Sequence, residues 1–339
     1  MRKIIAAIIL CFACAASAAV RIPIYSVSVP VASESSQDRD KALKTAFQDV
    51  VVKVTGEKDA ADNSVVNNAM KTPDHYIQQY DYDRAESDDG ISPLILQVTF
   101  YPSTMKSLLR DADLPFWGAD RPVVFLYLIV DTPDEKVVVT SENNPDLVES
   151  IKQLSEKRGL PITFPAAINE DTEQMQLEDI QALAQQCHAN AILIGHISMG
   201  DNDPVDSQWN FYFAQQHHQW QDESPTILSG LTDALSQTTQ MLSQRFAIKF
   251  NEEEGHTFSM VIENINSTQD YAKVLSYLKH ITQVKLLTLK QAASSQIQVD
   301  LSITGSEQHF LDVLSLDGKL IPDDQEDKVA YIWMNDQKG

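Results

Sequence analysis

The sequence predicts an α+β/α/β protein of three small domains, the middle one a mixed sheet with parallel crossovers and the last ferredoxin-like, in βαββαβ order. Three observations predict it. Apolar residues switch repeatedly between a period of two and a period near 3.6. The run Val123 to Val130 is apolar without a break, as in a strand covered on both faces. A proline-punctuated joint, Leu114-Pro115-Phe116-Trp117-Gly118 with Arg121-Pro122, and an acidic stretch, Asn251 to Gly255, then divide the pattern. The divisions are a leader at 1–18, an N-terminal α+β domain at 19–115, a middle α/β domain at 116–250 and a ferredoxin-like domain at 251–339.

In the first unit Tyr25, Val27 and Val29 alternate as a strand. Ala42, Leu43, Ala46, Phe47, Val50, Val51 and Val54 then recur at helical spacing until Gly56, with Ser35 or Ser36 as the cap. Tyr76 to Tyr82 and Leu94 to Phe100 read as a hairpin turning at Ser87-Asp88-Asp89-Gly90, and a short helix with Met105, Leu108 and Leu109 follows Pro102. The second unit continues from the apolar run through a helix ended by Gly159, a strand at Ile162 to Phe164, a helix with Ile180 and Ala184, and a strand at Ala191 to Ile197. That order requires parallel crossovers. Trp209, Phe211 and Phe213 alternate next, then a strand with His218 and Trp220, and a long helix from Leu231 to Phe246. In the third unit a strand at Phe258 to Ile262 leads to a helix capped by Ser267, with Asp270 completing a capping box and Tyr271, Val274, Leu275 and Leu278 as its stripe. Strands at Val284 to Leu289 and Ile297 to Ile303, a helix at Phe310 to Leu314 and a last strand at Val329 to Trp333 complete it.

Arg2 and Lys3, an apolar run from Ile4 to about Ala15, and Ala16-Ser17-Ala18 before Ala19 have the pattern of a secretory signal peptide. Cleavage is expected after Ala18, and the run is too short for the roughly 20 apolar residues of a membrane span. The mature chain is thus expected to be exported to the periplasm without a stable membrane span. Its only remaining cysteine would be Cys187, so no internal disulfide can form and stability must come from core burial. A lipid anchor is disfavoured, because Cys11, three residues before Cys14, stands where an aliphatic residue belongs. The formal charge of −22, more negative still without Arg2 and Lys3, repels phosphate backbones, and the cations are interspersed with acids. Nucleic acid is excluded as a partner.

Ser103-Thr104-Met105-Lys106 matches the S-x-x-K pattern in which a lysine one turn on activates a helix-opening serine. No K-T-G companion exists, so Ser103 is expected to cap its helix. His217 and His218 are neighbours on a strand and point to opposite faces, Cys187 falls on an apolar stripe, and Asp201, Asp203 and Asp206 lack the glycine of a calcium loop. No metal or cofactor is expected. With 11 glycines and no G-x-x-x-x-G-K-[ST], a phosphate cradle is not expected either. The alternation of Trp209, Phe211 and Phe213 makes core packing the default for the aromatic set; Trp117 at the joint and Trp209, Tyr212 and Trp220 on the hairpin are the candidate contact residues, foremost Tyr212 on the face opposite the core.

Val52-Lys53-Val54-Thr55-Gly56, Tyr76-Ile77-Gln78-Gln79-Tyr80 and the joint with Arg121-Pro122 resemble an exported Gram-negative family of unknown function, over nearly the whole mature chain. Ala189-Asn190-Ala191-Ile192-Leu193-Ile194-Gly195 after its helix is similar to the amino-terminal domain of TolB and to related domains of periplasmic assembly factors. The resemblance implies binding of envelope proteins and no chemistry. The expectation is a non-catalytic binding or assembly module of the cell envelope. The alternatives are a cell-wall-directed serine hydrolase or transferase using Ser103 and Lys106, and a small-ligand or glycan binder.

Overall fold

A computed structural model describes residues 21–84, 93–166, 175–200, 204–250, 256–323 and 329–334. The leader with Ala18 and Ala19, the Ser87 to Gly90 turn, Asp201, Asp203 and the acidic stretch 251–255 lie outside the described residues.

The first unit runs β1 (Ser26–Val31), α1 (Ser36–Thr55), α2 (Ser64–Ala69), β2 (Ile77–Arg84), β3 (Leu94–Phe100) and α3 (Pro102–Asp111). The apolar stripe of α1 is buried from Ala42 to Val54. Ser35 accepts a hydrogen bond from the Asp38 N–H, and Gly56, at φ 73°, closes the far end by donating to the Val52 carbonyl. Beneath it lies an antiparallel sheet of order β1-β3-β2, with Val27, Val29, Leu96, Val98 and Phe100 facing the helix side.

The second unit centres on β4 (Val124–Asp131), which pairs antiparallel with β5 (Lys136–Val138) and parallel with β6 (Ile162–Thr163) and β7 (Ala191–Ser198). The crossovers are α4 (Pro145–Arg158) and α5 (Leu177–Gln186). β8 (Val205–Phe213) and β9 (Gln216–Ser224) extend the sheet as a hairpin, and α6 (Ile227–Phe246) closes the unit. The unbroken apolar run in β4 has a simple cause. Val124, Leu126, Leu128 and Val130 enter the main core, whereas Phe125 and Tyr127 enter a smaller cluster with Ile180 and Ala184 of α5.

The third unit comprises β10 (His256–Glu263), α7 (Thr268–His280), β11 (Val284–Ala293), β12 (Gln296–Ile303), α8 (Glu307–Leu314), β13 (Leu320–Pro322) and β14 (Ala330–Trp333). Its sheet order is β11-β12-β10-β14-β13. The β11-β12-β10 part and the α7 crossover follow the ferredoxin-like split βαβ plan, whereas α8 leads from β12 to the outer edge. One strand more than the expected βαββαβ is present: β13 takes the outer edge, so β14 returns between β13 and β10 and runs parallel to β10. Units one and three share a βαββα order with the same antiparallel pairings, β1-β3-β2 matching β10-β12-β11.

The cores divide differently from the sequence pattern. The first unit keeps its own cluster, but one continuous core joins the second and third, from Leu126 and Trp209 to Phe258, Phe310 and Trp333. Helix α6 is the reason. It is buried on several faces, and Thr238 and Thr239 satisfy their hydroxyls by donating to the carbonyls of Ala234 and Leu235. At its C-terminal end Arg245 forms a two-pronged pair with Asp312 of α8, at 2.9 and 3.0 Å.

Candidate functional site

Ser103 and Lys106 lie one turn apart on α3 but face different surroundings. The N-cap of α3 is Tyr101 and Pro102 opens the helix, so Ser103 is the second helical residue and not the expected cap. Its side chain is exposed and no hydrogen bond joins it to Lys106. The Lys106 ammonium instead lies 4.7 Å from the centre of the Phe116 ring, where burial lowers its pKa.

The aromatic candidates separate into two groups. Trp117 and Trp209 are 1% and 0% exposed and are therefore core residues; for Trp209 this is the core packing its alternation makes the default, whereas Trp117 is not the contact surface it was a candidate for. Trp209 is seated over Gly195, its partner across β7 and β8, where an added Cβ would meet the indole at 2.3 Å. Trp220 is half-buried and stacks on Trp209 at 6.4 Å, and Tyr212 stacks on His217 at 4.3 Å with the planes 4° apart. His217 is also within 3.0 Å of Asn210, whereas His218 points to the other face, beside Phe213 and Met241. Cys187 sits half-buried at the end of α5, packed against the cluster that holds Ile180 and Ala184. Among the described residues no group of three His, Cys, Asp or Glu is placed to hold a metal ion.

Trp117 belongs instead to a buried joint. Phe116 and Ile248 exchange backbone hydrogen bonds of 2.8 Å each, and the Trp117 N–H donates to the Val54 carbonyl at 2.7 Å. The Arg121 guanidinium, 0% exposed, lies 3.8 Å from the centre of the Trp117 ring. It donates to the carbonyls of Gly118 (2.9 Å), Trp117 (3.0 Å), Lys53 (2.5 Å), Gly159 (2.9 Å) and Arg158 (3.3 Å). Lys53 lies in the last turn of α1, and Arg158 and Gly159 end α4. One cation thus satisfies orphan carbonyls at two helix C-termini, where the helix dipoles favour positive charge. Burial lowers its pKa to about 9, which leaves it charged at neutral pH.

Beside it Lys53 donates to the Ser26 carbonyl at 2.9 Å. Its pKa is lowered to about 8, chiefly by burial; Glu156 opposes the shift, Arg121 adds to it and Asp49 opposes it. The folded chain therefore releases this proton before the unfolded chain does, at the ordinary lysine value of 10.5. Between those two values the unfolded state binds more protons, so stability rises with pH. Urea unfolding is expected to show that rise between pH 8 and about pH 10, and Lys53→Met to lack it. Identical slopes in the two proteins would refute the assignment.

Among the strands that end the three sheets, the longer ones β2, β11 and β9 differ in character. β2 carries a register shift near its start together with Asp81, Asp83 and Arg84. β11 exposes Leu286 and Leu289 at 62% and 39%, but it is interrupted by two register shifts and carries Lys285 and Lys290. Bulges and lysines are devices that blunt an edge against further pairing. β9 pairs with β8 over nine consecutive positions without a shift, and contains no proline, lysine or arginine. Its residues from Gln216 to Glu223 are exposed except Trp220.

A cleft of about 600 Å³ lies along α7. Gln269, Ala272, Lys273, Ser276, Tyr277 and His280 line one wall at spacings of three and four, a single helical face distinct from the buried Val274 and Leu278. Across it stand Trp333, Met334, Asp317 and Lys319, with Arg21 and Asp120 at the end. Asp317 accepts from the Tyr277 hydroxyl (3.0 Å) and the Lys319 N–H (3.1 Å), and its other oxygen is 3.5 Å from the Lys319 ammonium. Burial, followed by the charge and hydrogen bond of Asp317, raises the Tyr277 pKa. Asp120 accepts from Arg21 Nε at 3.3 Å and from the Thr282 hydroxyl at 3.1 Å, and Arg21 also donates to the His280 carbonyl. Sequence reasoning identified the buried stripe of α7 and missed this second face, whose one signal is the aromatic Tyr277 among polar positions.

The fold is an α+β protein of three sheets, and no helix among the described residues is long and apolar enough to cross a membrane. Residues 18–118 match a domain of unknown function (DUF8605), a span that includes α1, Gly56 and Trp117 and stops before Arg121. No curated protein matches the chain.

Proposed function

We propose that the chain is a non-catalytic binding or assembly module of the cell envelope, exported to the periplasm after cleavage behind Ala18, with envelope proteins as partners. The reading rests above all on β9. It is a long edge of regular register whose unpaired backbone groups can accept an extended segment as a further strand, while the long edges β2 and β11 carry blunting features. The leader pattern and the likeness of the Ala189 to Gly195 step to TolB-type domains support the compartment and the class of partner. The placement of Lys106 against Phe116 speaks against the serine hydrolase or transferase, and burial of Trp209 against a glycan groove built on it.

A photoreactive side chain placed at Gln219 is expected to capture an envelope protein in living cells, identified by mass spectrometry, with the same result in a Ser103→Ala background. The same probe at Lys290 on β11 should capture none. Equal products from both positions, or none from Gln219, would remove the edge reading. Labelling of Ser103 by a β-lactam probe would establish the enzyme instead. Amino-terminal sequencing of the periplasmic protein should begin at Ala19, and a cytosolic product with its leader intact would refute export.

A further inference from the structure

The α7 cleft carries an inference independent of the β9 edge. Its volume is in the range of sites that enclose small organic ligands. Tyr277 is half-buried and backed by the buried Trp333 at 5.7 Å and an interplanar angle of 51°, and Met334 beside them is 43% exposed, so an apolar surface of Met334 and Tyr277 is left open to the cleft. Polar satisfaction decides the sign of the ligand's charge. Both carboxylates of the lining are already engaged: Asp317 with the Tyr277 hydroxyl and Lys319, Asp120 with Arg21 and Thr282. Lys273, exposed on the α7 wall between Gln269 and Tyr277, has no such partner among the described residues. The lining thus carries three ammonium or guanidinium groups against two carboxylates, in a chain whose formal charge is −22. A cationic ligand finds no open carboxylate there, and an anion meets one open ammonium.

We infer that this cleft binds an amphiphilic organic carboxylate, with its apolar body against Tyr277 and Met334 and its head at Lys273. A charge-assisted hydrogen bond at the head and burial of the body both contribute to affinity. Ala272 and Ser276, exposed on the same wall, leave the space that the body fills.

The test is calorimetric titration of the mature protein with three ligands of equal body: 4-phenylbutyrate, 4-phenylbutan-1-ol and 4-phenylbutylamine. The carboxylate is expected to bind about tenfold tighter than the alcohol, and the amine weaker still. Lys273→Glu should remove the preference for the carboxylate, while the melting temperature stays at the wild-type value. Ala272→Trp, or Ser276→Trp one turn on, should fill the cleft and abolish binding of all three. Equal affinity for acid and alcohol, binding that survives both tryptophan variants in folded protein, or no binding of any ligand would each overturn the inference. Capture at Gln219 is read separately, so failure of one proposal leaves the other standing.

Discussion

Arg121→Met is expected to destabilise the protein by about 3–5 kcal/mol, the usual cost of stripping a buried charge from its partners. The substitution leaves five carbonyls, on Lys53, Trp117, Gly118, Arg158 and Gly159, without their donor in a place that excludes water. It also removes the planar group that covers the Trp117 ring. Arg121→Lys keeps the charge but concentrates its donors on one nitrogen and loses the flat contact, so it should recover less than half of the loss. Because domains are commonly stable by only about 5–15 kcal/mol, the Met protein should unfold at a much lower urea concentration. A Met variant within 1 kcal/mol of wild type would show that the joint does not depend on the guanidinium. Gly159 should be intolerant for a related reason, since its Cβ would lie 2.8 Å from Arg121 Nη1.

The second large effect is expected at Gly56. Its φ of 73° is costly for a side-chain-bearing residue, and an added Cβ would lie 2.3 Å from Ser243 Cβ and 2.8 Å from the Trp117 ring. Backbone strain of roughly 1–2 kcal/mol and overpacking of about 1–3 kcal/mol together predict a loss of about 2–5 kcal/mol for Gly56→Ala. Gly318 supplies the control. It has φ 63° but nothing within 4 Å of its would-be Cβ, so Gly318→Ala should incur the backbone cost alone. Equal losses at the two glycines in thermal or urea unfolding would mean that the close packing of α1, the joint and α6 contributes nothing.

Both predictions concern contacts that the sequence did not reveal, although it marked their location. The stripe from Ala42 to Val54 and the terminating Gly56 were legible, because helix period and a left-handed cap are local properties. So was the coverage of β4 on both faces, since an unbroken apolar run has few other uses. Arg121 was legible only as part of a proline-marked joint. Its acceptors lie as far away in the chain as Lys53 and Gly159, and no spacing rule connects them. Trp117 and Trp209 were recognised as large aromatic residues with a task, but solvent exposure depends on what packs above them, which is Arg121 for one and the Gly195 strand for the other. The three-residue strand β13 is too short to carry a period, and its omission hid the parallel entry of β14.

The candidate site followed the same division. Ser103 and Lys106 have a catalytic spacing on paper, yet Pro102 fixes the helix start one residue earlier and Phe116, beyond the end of α3, holds the ammonium. The α7 cleft needs residues 21, 120, 273 and 333 in one place, and the β9 edge is distinguished from β11 by register shifts that only pairing creates.

By itself, then, the sequence determined the type and extent of most helices and strands, their caps and the alternation of buried faces, because these arise from side chains within a few residues of one another. The tertiary structure alone decided the strand order, the fusion of the second and third cores through α6, the role of Arg121 and the surfaces left open. Each of these depends on free energy gained only when segments tens of residues or more apart close against each other, and local pattern carries no record of which partners meet.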